Sequence, residues 1–138
     1  DIIVGFPGET EEDFEETLNM VKFAEFDSSF TFIYSRREET KAAARPDQID
    51  DAIKSERFNR LLEVQNEISL RNNKRFEGRV EQVLVEGISR DNDSVYTGRT
   101  SSNQIVNFKG CENDIGNMRN VKITKALTWS LEGELIND

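Results

Sequence analysis

The sequence predicts an α/β segment, then a long helix, then a small five-stranded β-barrel. Strand, helix and strand patterns follow one another in residues 1–34, helical periodicity extends to Lys74, and short alternating strands fill residues 79–135. Five short strands favour a small, partly open barrel over an open meander, because closure removes the unpaired strand edges. We expect two domains, residues 1–74 and residues 75–138.

Composition indicates a folded globular protein. The 138 residues carry a net charge of −9, with 36% hydrophobic and 33% charged residues, which excludes a disordered chain. No stretch approaches the roughly 18 apolar residues of a membrane helix, so no membrane association is expected. The single cysteine, Cys111, excludes an internal disulfide and favours a reducing cytoplasm.

Most of the negative charge lies in the first domain. Residues 1–74 have a net charge of −7 and residues 75–138 have a net charge of −2. The second domain is therefore not basic as a whole, and any nucleic-acid binding there must come from a local patch.

A parallel strand, helix, strand unit is predicted for residues 1–34. The β-branched run Ile2–Val4 is typical of a parallel strand buried on both faces. Thr10 is a favourable helix N-cap and Asp13 completes an approximate capping box. The second strand is expected at Phe30–Tyr34. One helix cannot cover both faces of such a sheet, so we expect this unit to be the last slice of a larger α/β domain whose other strands precede it.

In parallel α/β architectures the chemistry lies at the carboxyl ends of the strands. Here these ends are Gly5–Thr10 and Ser35–Thr40. The segment Gly5–Gly8 also has a purely structural interpretation as a tight turn, since glycine adopts positive φ and proline fixes its own φ.

A loop and a long helix connect the two domains. Residues 36–45 are polar and lack a clear period, and Pro46 and Asp47 open a helical pattern to about Lys74. Its apolar stripe indicates core or interdomain packing. The members of this stripe are Ile49, Ile53, Phe58, Leu61, Leu62 and Ile68.

The strands of the second domain are predicted from RVEQVLVEG, VYTGRT, QIVNFKG, NVKITKAL and TWSLEGEL. The last two show period-2 alternation without helical spacing, which predicts β-structure. The residues that share a face in these two strands are Val121, Ile123 and Leu127 in one and Trp129, Leu131 and Leu135 in the other.

Several stretches together resemble one family. DIIVGFPGETEEDFEETL, FTFIYS, LLEVQNEISLRNN, GRTSSNQIVNF and TWSLEGEL are similar to the C-terminal third of the radical-SAM tRNA methylthiotransferases of the MiaB type, and the resemblance covers essentially the whole chain. It implies that residues 1 to about 45 end a radical-SAM partial barrel and that residues 75–138 are a TRAM domain, an OB-like barrel that holds RNA.

The resemblance also implies cofactors and partners. Such enzymes use S-adenosylmethionine and two [4Fe-4S] clusters, whose cysteine motifs are absent from this sequence. We therefore expect the chain alone to bind no metal or cofactor, to carry no catalytic residue and to be inactive. Gly5, Gly8, Glu9 and Thr10 match the family motif and would lie at the cofactor-facing edge. The implied partners are the anticodon stem-loop of tRNA and the N-terminal part of the same protein, and the expected state is a monomer.

One loop departs from the family. The family usually has YSPRPGT where this chain has YSRREET, so Arg37, Glu38 and Glu39 stand in a Pro- and Gly-containing segment. The conformation of this loop therefore cannot be carried over from the family.

The hairpin GRTSSNQIVNFK predicts an RNA-binding face on the barrel. It combines a cation, hydroxyls, a carboxamide and an aromatic ring, which suit phosphates, base edges and base stacking. The predicted contacts are Arg99, Asn103, Phe108 and Lys109, with Lys122 or Lys125 as supporting phosphate contacts. Phe108 shares its strand parity with Val106, so a core position is the alternative for its ring.

Several functions remain open from the sequence. The chain could supply the barrel edge and the tRNA-binding domain of a methylthiotransferase acting on isopentenyladenosine, or belong to a relative that acts on another tRNA position or on a ribosomal protein. A non-catalytic RNA-binding module and a protein-interaction module are the alternatives outside the family. The segment DIIVGFPGET favours the enzyme, because a pure RNA-binding protein has no need of it.

Overall fold

The computed structural model describes residues 1–137. The chain divides into two compact units, Asp1–Ser69 and Leu70–Asp138. This division lies inside a helix and a few residues earlier than the domain boundary expected after Lys74, because the last turn of that helix belongs with the second unit.

The first unit begins with a parallel strand, helix, strand arrangement. Strand β1 spans Ile2–Val4, helix α1 spans Glu11–Ala24 and strand β2 spans Thr31–Ile33. The two strands pair in parallel, with Ile2 opposite Thr31 and Val4 opposite Ile33. The predicted order of elements is therefore confirmed, with a second strand shorter than expected.

Helix α1 is bounded by local hydrogen bonds that the sequence encodes. The Asp13 N–H donates to Thr10 Oγ1 at 3.1 Å, and the Thr10 N–H donates to the Asp13 carboxylate at 3.0 Å. This reciprocal pair satisfies two N–H groups that a helix start leaves unpaired. The helix ends at Glu25, whose φ of 52° stops its continuation while its N–H still bonds to the Val21 carbonyl oxygen.

The core of the first unit joins β1, α1 and the following long helix, α2, which spans Asp51–Lys74. Its buried members are Val4, Phe14, Leu18, Val21, Leu61 and Ile68. The prediction that β1 is buried on both faces is wrong for this chain, because Ile3 is 57% exposed and its partner Phe32 is 51% exposed. The helices cover one face of the two-stranded sheet and leave the other face open among the described residues.

Helix α2 begins at Asp51, five residues after Pro46. The segment before it is held as a loop by an ion pair between Arg45 and Asp47 and by the Gly8 N–H, which donates to the Asp47 carbonyl oxygen. Leu61 and Ile68 are buried as their spacing predicts, but Ile53 is largely exposed. No helix within residues 1–137 is long and apolar enough to cross a membrane.

The second unit is a closed five-stranded barrel. Its strands are β3 (Val80–Ile88), β4 (Val95–Arg99), β5 (Ile105–Lys109), β6 (Met118–Ala126) and β7 (Leu131–Leu135), with a short 3₁₀ turn at Glu112–Asp114. The order around the barrel is β3, β4, β5, β7, β6, and only β5 and β7 pair in parallel. The five predicted strands are confirmed. The prediction that the barrel is partly open is wrong, because β3 pairs with β6 and closes it.

The barrel interior is filled by side chains from all five strands. Its buried members are Val83, Val85, Tyr96, Val106, Phe108, Val121, Ile123, Ala126 and Leu131. Gly98 and Gly133 lie where neighbouring strands come close, since a Cβ at either position would clash with a backbone oxygen, that of Leu84 or of Lys122. A barrel this narrow therefore requires the smallest side chain at these two positions.

The predicted alternation fails near the last turn. A bulge between Ile123 and Lys125 shifts the alternation of β6 by one residue. Ala126 is therefore buried, whereas Leu127 is only half-buried. Trp129 lies in the turn before β7 and is 73% exposed. The prediction that Trp129 shares a strand face with Leu131 is wrong, because β7 begins only at Leu131.

Candidate nucleic-acid interface and the turn after β1

The turn between β1 and α1 contains two residues in left-handed backbone conformation. Gly5 has a φ of 80° and Gly8 a φ of 85°, which side chains disfavour. A Cβ at Gly5 would clash with the Lys54 side chain, and a Cβ at Gly8 would lie 2.5 Å from the Asp47 carboxylate. Backbone geometry and close packing are thus sufficient to explain both glycines.

Glu9 holds this turn from within. Its Oε1 accepts hydrogen bonds from the Gly5 N–H at 3.2 Å and from Arg57 Nη1 at 2.9 Å. The same Arg57 nitrogen donates to the Glu9 carbonyl oxygen at 3.0 Å, and Arg57 is only 6% exposed. Glu9 therefore has a structural task, and Thr10 caps α1. A role for these residues in cofactor binding stays a prediction.

The start of α1 is also tied to α2 by a second arginine. Arg60 pairs with Glu11 at 2.7 Å and with Glu15 at 2.6 Å. Its hydrogen bond lowers the pKa of the Glu11 carboxyl below its usual value. The sequence analysis did not identify Arg57 and Arg60, although two arginines one turn apart on a helix, in a chain with an acidic segment at residues 9–16, are a usable signal.

A cleft of about 520 Å³ opens at the carboxyl ends of β1 and β2. The residues that line it include Phe6, Tyr34, Ser35, Arg37 and Thr40. The Phe6 and Tyr34 rings meet edge to face at 5.4 Å, and the buried Tyr34 hydroxyl has no hydrogen-bond partner among the described residues. The two predicted strand ends thus meet at one cleft, to which the turn contributes Phe6.

The loop that departs from the family lies beside this cleft. Arg37, Glu38 and Glu39 are exposed, and residues 36–45 contain no regular helix or strand, as predicted. Glu39 adopts a φ of 67°, a conformation that glycine adopts without strain. Glu39 therefore takes over a backbone geometry for which the family's Pro- and Gly-containing sequence is better suited.

On the barrel, Arg99 and Asn103 lie together at one end of the β4–β5 hairpin. Arg99 Nη1 donates to Asn103 Oδ1 at 3.0 Å, and Arg99 Nε lies 3.5 Å from the Glu86 carboxylate. Asn103 adopts a φ of 70° in the connecting turn. The two predicted RNA contacts are adjacent, but they bond to each other and share their surroundings with an acidic residue.

The predicted lysines lie elsewhere on the barrel surface. Lys109 is at the far end of β5, four residues beyond the partner of Arg99, which corresponds to about 13 Å along a strand. Lys109 and Lys122 both pair in register with Glu134, and Lys125 pairs with Glu132. Positive and negative side chains therefore alternate here, and the six predicted contacts do not form one basic surface.

Phe108 does not belong to a binding surface. Its side chain is 2% exposed and packs in the barrel core. A ring without an exposed face cannot stack on a base, so the prediction of an RNA contact is wrong for this residue. The core position that its shared parity with Val106 allowed is the observed one.

The region around Cys111 is a structural turn. The buried Asp114 carboxylate accepts a hydrogen bond from the Cys111 N–H at 2.9 Å and forms an ion pair with Arg119. The hydrogen bond from the Cys111 backbone is the main reason that the pKa of Asp114 lies below its usual value, with a smaller contribution from Arg119. Within residues 1–137, no group of three His, Cys, Asp or Glu residues is arranged to hold a metal ion.

Residues 74–136, which contain the closed barrel, match the family model of the TRAM domain, so the barrel is similar to that domain. The chain as a whole is 56% identical over 136 residues to the tRNA-2-methylthio-N(6)-dimethylallyladenosine synthase of Clostridium novyi (strain NT), which covers 99% of this chain and 30% of that relative. It is 53% identical, over 99% of this chain and 29% of the relative, to the enzyme of the same name from Thermoanaerobacter sp. (strain X514).

The enzyme of the same name from Clostridium botulinum (strain Hall / ATCC 3502 / NCTC 13319 / Type A) gives the same picture, with 56% identity over 99% of this chain. These identities confirm the resemblance to the tRNA methylthiotransferases. The chain spans about 30% of the length of the curated relatives it matches.

Proposed function

We propose that this chain is the part of a tRNA-2-methylthio-N(6)-dimethylallyladenosine synthase that supplies the final strands of the radical-SAM barrel and the TRAM domain that holds tRNA. The observation that carries the proposal is the 53 to 56% identity to enzymes of that name over 99% of the chain. Identity at this level over both units favours a shared role for both, and not for the barrel alone.

The open face of the two-stranded sheet supports an origin in a larger barrel. Ile3, Phe30 and Phe32 are exposed on or beside β1 and β2, and exposed apolar side chains that cluster in this way mark a surface that another element covers. In the proposed enzyme this face would be covered by side chains from the other strands of the same radical-SAM domain, which the remaining length of the relatives would provide.

The cleft at the carboxyl ends of β1 and β2 fits one side of an S-adenosylmethionine site. It offers two aromatic rings, from Phe6 and Tyr34, which meet edge to face. S-adenosylmethionine would supply the radical and the methyl group in the parent enzyme. The residues of this chain would shape and close the site, with Glu9 and Arg57 keeping the turn after β1 in place.

The iron-sulfur clusters do not fit any residues of this chain. A [4Fe-4S] cluster requires several thiolates, and the chain has one cysteine, exposed Cys111, in the barrel unit. The clusters would therefore be held by other parts of the enzyme, and the isolated chain is expected to be inactive.

The test is complementation with the full-length protein that carries this sequence, in a bacterium whose own synthase gene has been deleted. We expect 2-methylthio-N(6)-dimethylallyladenosine to return in digested tRNA, as measured by mass spectrometry. Persistence of the unmodified N(6)-dimethylallyladenosine would contradict the proposal. A methylthio group found on a ribosomal protein, with tRNA unchanged, would favour the relative that modifies ribosomes.

A matched pair of variants tests the proposed sheet contact. In the 138-residue chain, Ile3→Asp and Phe23→Asp should both be tolerated, because both side chains are exposed. In the full-length enzyme Ile3→Asp should abolish folding or activity, since its face would be buried, whereas Phe23→Asp on α1 should leave tRNA modification largely intact. Because Ile3 also lines the cleft at the strand ends, an Ile3→Asp enzyme that folds but is inactive would assign the loss to the cleft, whereas loss of folding would assign it to the covered face. Equal activity of the two full-length variants would show that Ile3 is neither covered nor part of the site.

A further inference from the structure

Trp129 lies on the barrel surface in a hydrogen-bonded turn. The turn is closed by the Leu127 N–H, which donates to the Ser130 carbonyl oxygen at 2.8 Å. Asn73 Nδ2, on the last turn of α2, donates to the carbonyl oxygens of Leu127 and Thr128 at 2.8 and 3.2 Å. Asn73 is itself buried, so the backbone next to Trp129 is fixed from inside.

The exposed indole is energetically unusual. Trp129 is the only tryptophan of the chain and is 73% exposed, although a tryptophan side chain is highly buried in most folded proteins. This turn holds a large aromatic surface in water, and covering that surface with a partner lowers the free energy of the complex. The position therefore indicates a contact surface and not a packing residue.

The segment that fixes this turn is basic, although the chain as a whole is acidic. Residues 71–79 contain four cations, Arg71, Lys74, Arg75 and Arg79, and one carboxylate. That carboxylate, Glu77, accepts a hydrogen bond from the Ala126 N–H at 3.1 Å and so serves the barrel itself. The cationic side chains are exposed, and the Arg79 guanidinium lies 5.9 Å from the centre of the Phe76 ring.

Asn73 links these two features within one unit. It lies next to Lys74 in the sequence, and its side chain bonds the residues that precede Trp129. An exposed ring and exposed cations that are fixed together form the combination with which proteins bind single-stranded nucleic acid, the ring stacking on a base and the cations neutralising phosphates. The hairpin at Arg99 offers no exposed aromatic ring, because Tyr96 and Phe108 are buried in the barrel core.

We propose that Trp129 stacks on an unpaired RNA base and that the cations of residues 71–79 bind the adjacent phosphates. This inference rests on the proposed role of the barrel in holding tRNA, and it moves the RNA surface from the β4–β5 hairpin to the junction of α2 with the β6–β7 turn. A nucleic acid is the favoured occupant because the local cations stand out from an otherwise acidic chain, and RNA loops offer the unpaired bases that stacking requires.

The single tryptophan makes the proposal directly measurable. The 138-residue chain is titrated with a short RNA hairpin that has an unpaired, adenosine-containing loop, and separately with the blunt duplex of the same stem. We expect the hairpin to quench the Trp129 emission and the duplex to leave it nearly unchanged, because only an unpaired base can stack on the indole. Anisotropy of the labelled hairpin gives the dissociation constant independently of the indole.

Three variants separate stacking from charge. Trp129→Ala should weaken hairpin binding about tenfold or more, and Trp129→Phe should weaken it less because a ring remains. The slope of log affinity against log salt concentration is negative, and Lys74→Ala should make it shallower by about 0.7 to 0.9. Lys22→Ala, which removes an exposed lysine on α1 of the first unit, is the matched control and should leave the slope unchanged.

The outcomes distinguish the two proposals. Hairpin binding without quenching, and with unchanged affinity in Trp129→Ala, would overturn the stacking inference and leave the RNA role of the barrel intact. Absence of any binding by the unmodified chain would overturn both. Thermal unfolding of each variant is measured in parallel, and a Trp129→Ala chain that keeps its melting temperature while losing affinity supports a direct contact.

Discussion

Arg57 Nη1 lies 2.9 Å from Glu9 Oε1, and this bond connects α2 to the turn that follows β1. Both side chains are largely withdrawn from solvent, and Glu9 also accepts the Gly5 N–H. The pair therefore sets the path of the backbone at the strand end where a cofactor would approach. Gly5 and Glu9, which match the family motif, therefore determine the conformation of this turn.

Removing Arg57 should destabilise the first unit strongly. Arg57→Ala leaves the Glu9 carboxylate without its charged partner in a mostly buried position, which costs about 3 kcal/mol of unfolding free energy. Arg60→Ala is the control, because its ion pairs are more exposed and should cost about 1 kcal/mol or less. Urea unfolding followed by the helical circular dichroism signal measures both. Equal losses for the two variants would show that the Glu9 contact has no special weight.

A methyl group added at Gly98 should disrupt the barrel. An alanine Cβ there would clash with the Leu84 carbonyl oxygen and the Val83 side chain, so Gly98→Ala should cost about 3 kcal/mol by overpacking. Gly87→Ala on β3 is the matched control, because a Cβ there meets nothing within 4 Å, and it should change stability by no more than about 0.5 kcal/mol. Calorimetric melting of the chain decides; a Gly98→Ala barrel as stable as the Gly87→Ala barrel would contradict the close approach.

The sequence predicted the elements of this chain better than the surfaces they form. Thr10 and Asp13 determine the start of α1 through contacts three residues apart, and such local hydrogen bonds can be predicted from sequence. The barrel strands could be predicted as well, because period-2 alternation is also a local pattern. The start of α2 was predicted too early, because the Gly8 contact with Asp47 is long-range and holds residues 46–50 as a loop.

The candidate site was harder to predict because it depends on register. A bulge in β6 and the late start of β7 place Trp129 in a turn, and neither feature follows from alternation. Phe108 shows the same limit. Its shared parity with Val106 allowed a core position, but the sequence alone did not say whether that face points into the barrel, as it does in the structure. The lysines of β5 and β6 were predicted to bind phosphates. Strand pairing places Glu132 and Glu134 beside them, and this pairing could not be predicted from the sequence.

Amide hydrogen exchange should be slowest in the barrel and fast in the two-stranded sheet. The amides of Val121 and Ile123 lie on a fully buried strand face between two neighbours, so their opening requires unfolding of the barrel. Strands β1 and β2 have three residues each and one open face. Mass spectrometry of exchanged peptides should therefore show early deuterium uptake at Ile2–Val4. Equal protection of both segments would mean that another contact covers the sheet.

The acid stability of the barrel should depend on Asp114. Its folded-state pKa is lowered, chiefly by the hydrogen bond from the Cys111 backbone and also by Arg119, so the ionised form stabilises the fold. This contribution is complete above the unfolded-state pKa of about 4 and is lost as the pH falls toward the lower folded-state value. Asp114→Asn should destabilise the barrel by about 2 kcal/mol at neutral pH and flatten the decline of stability below about pH 4. Urea midpoints measured across this range test the sign, and an undiminished acid decline in Asp114→Asn would assign it to other carboxylates.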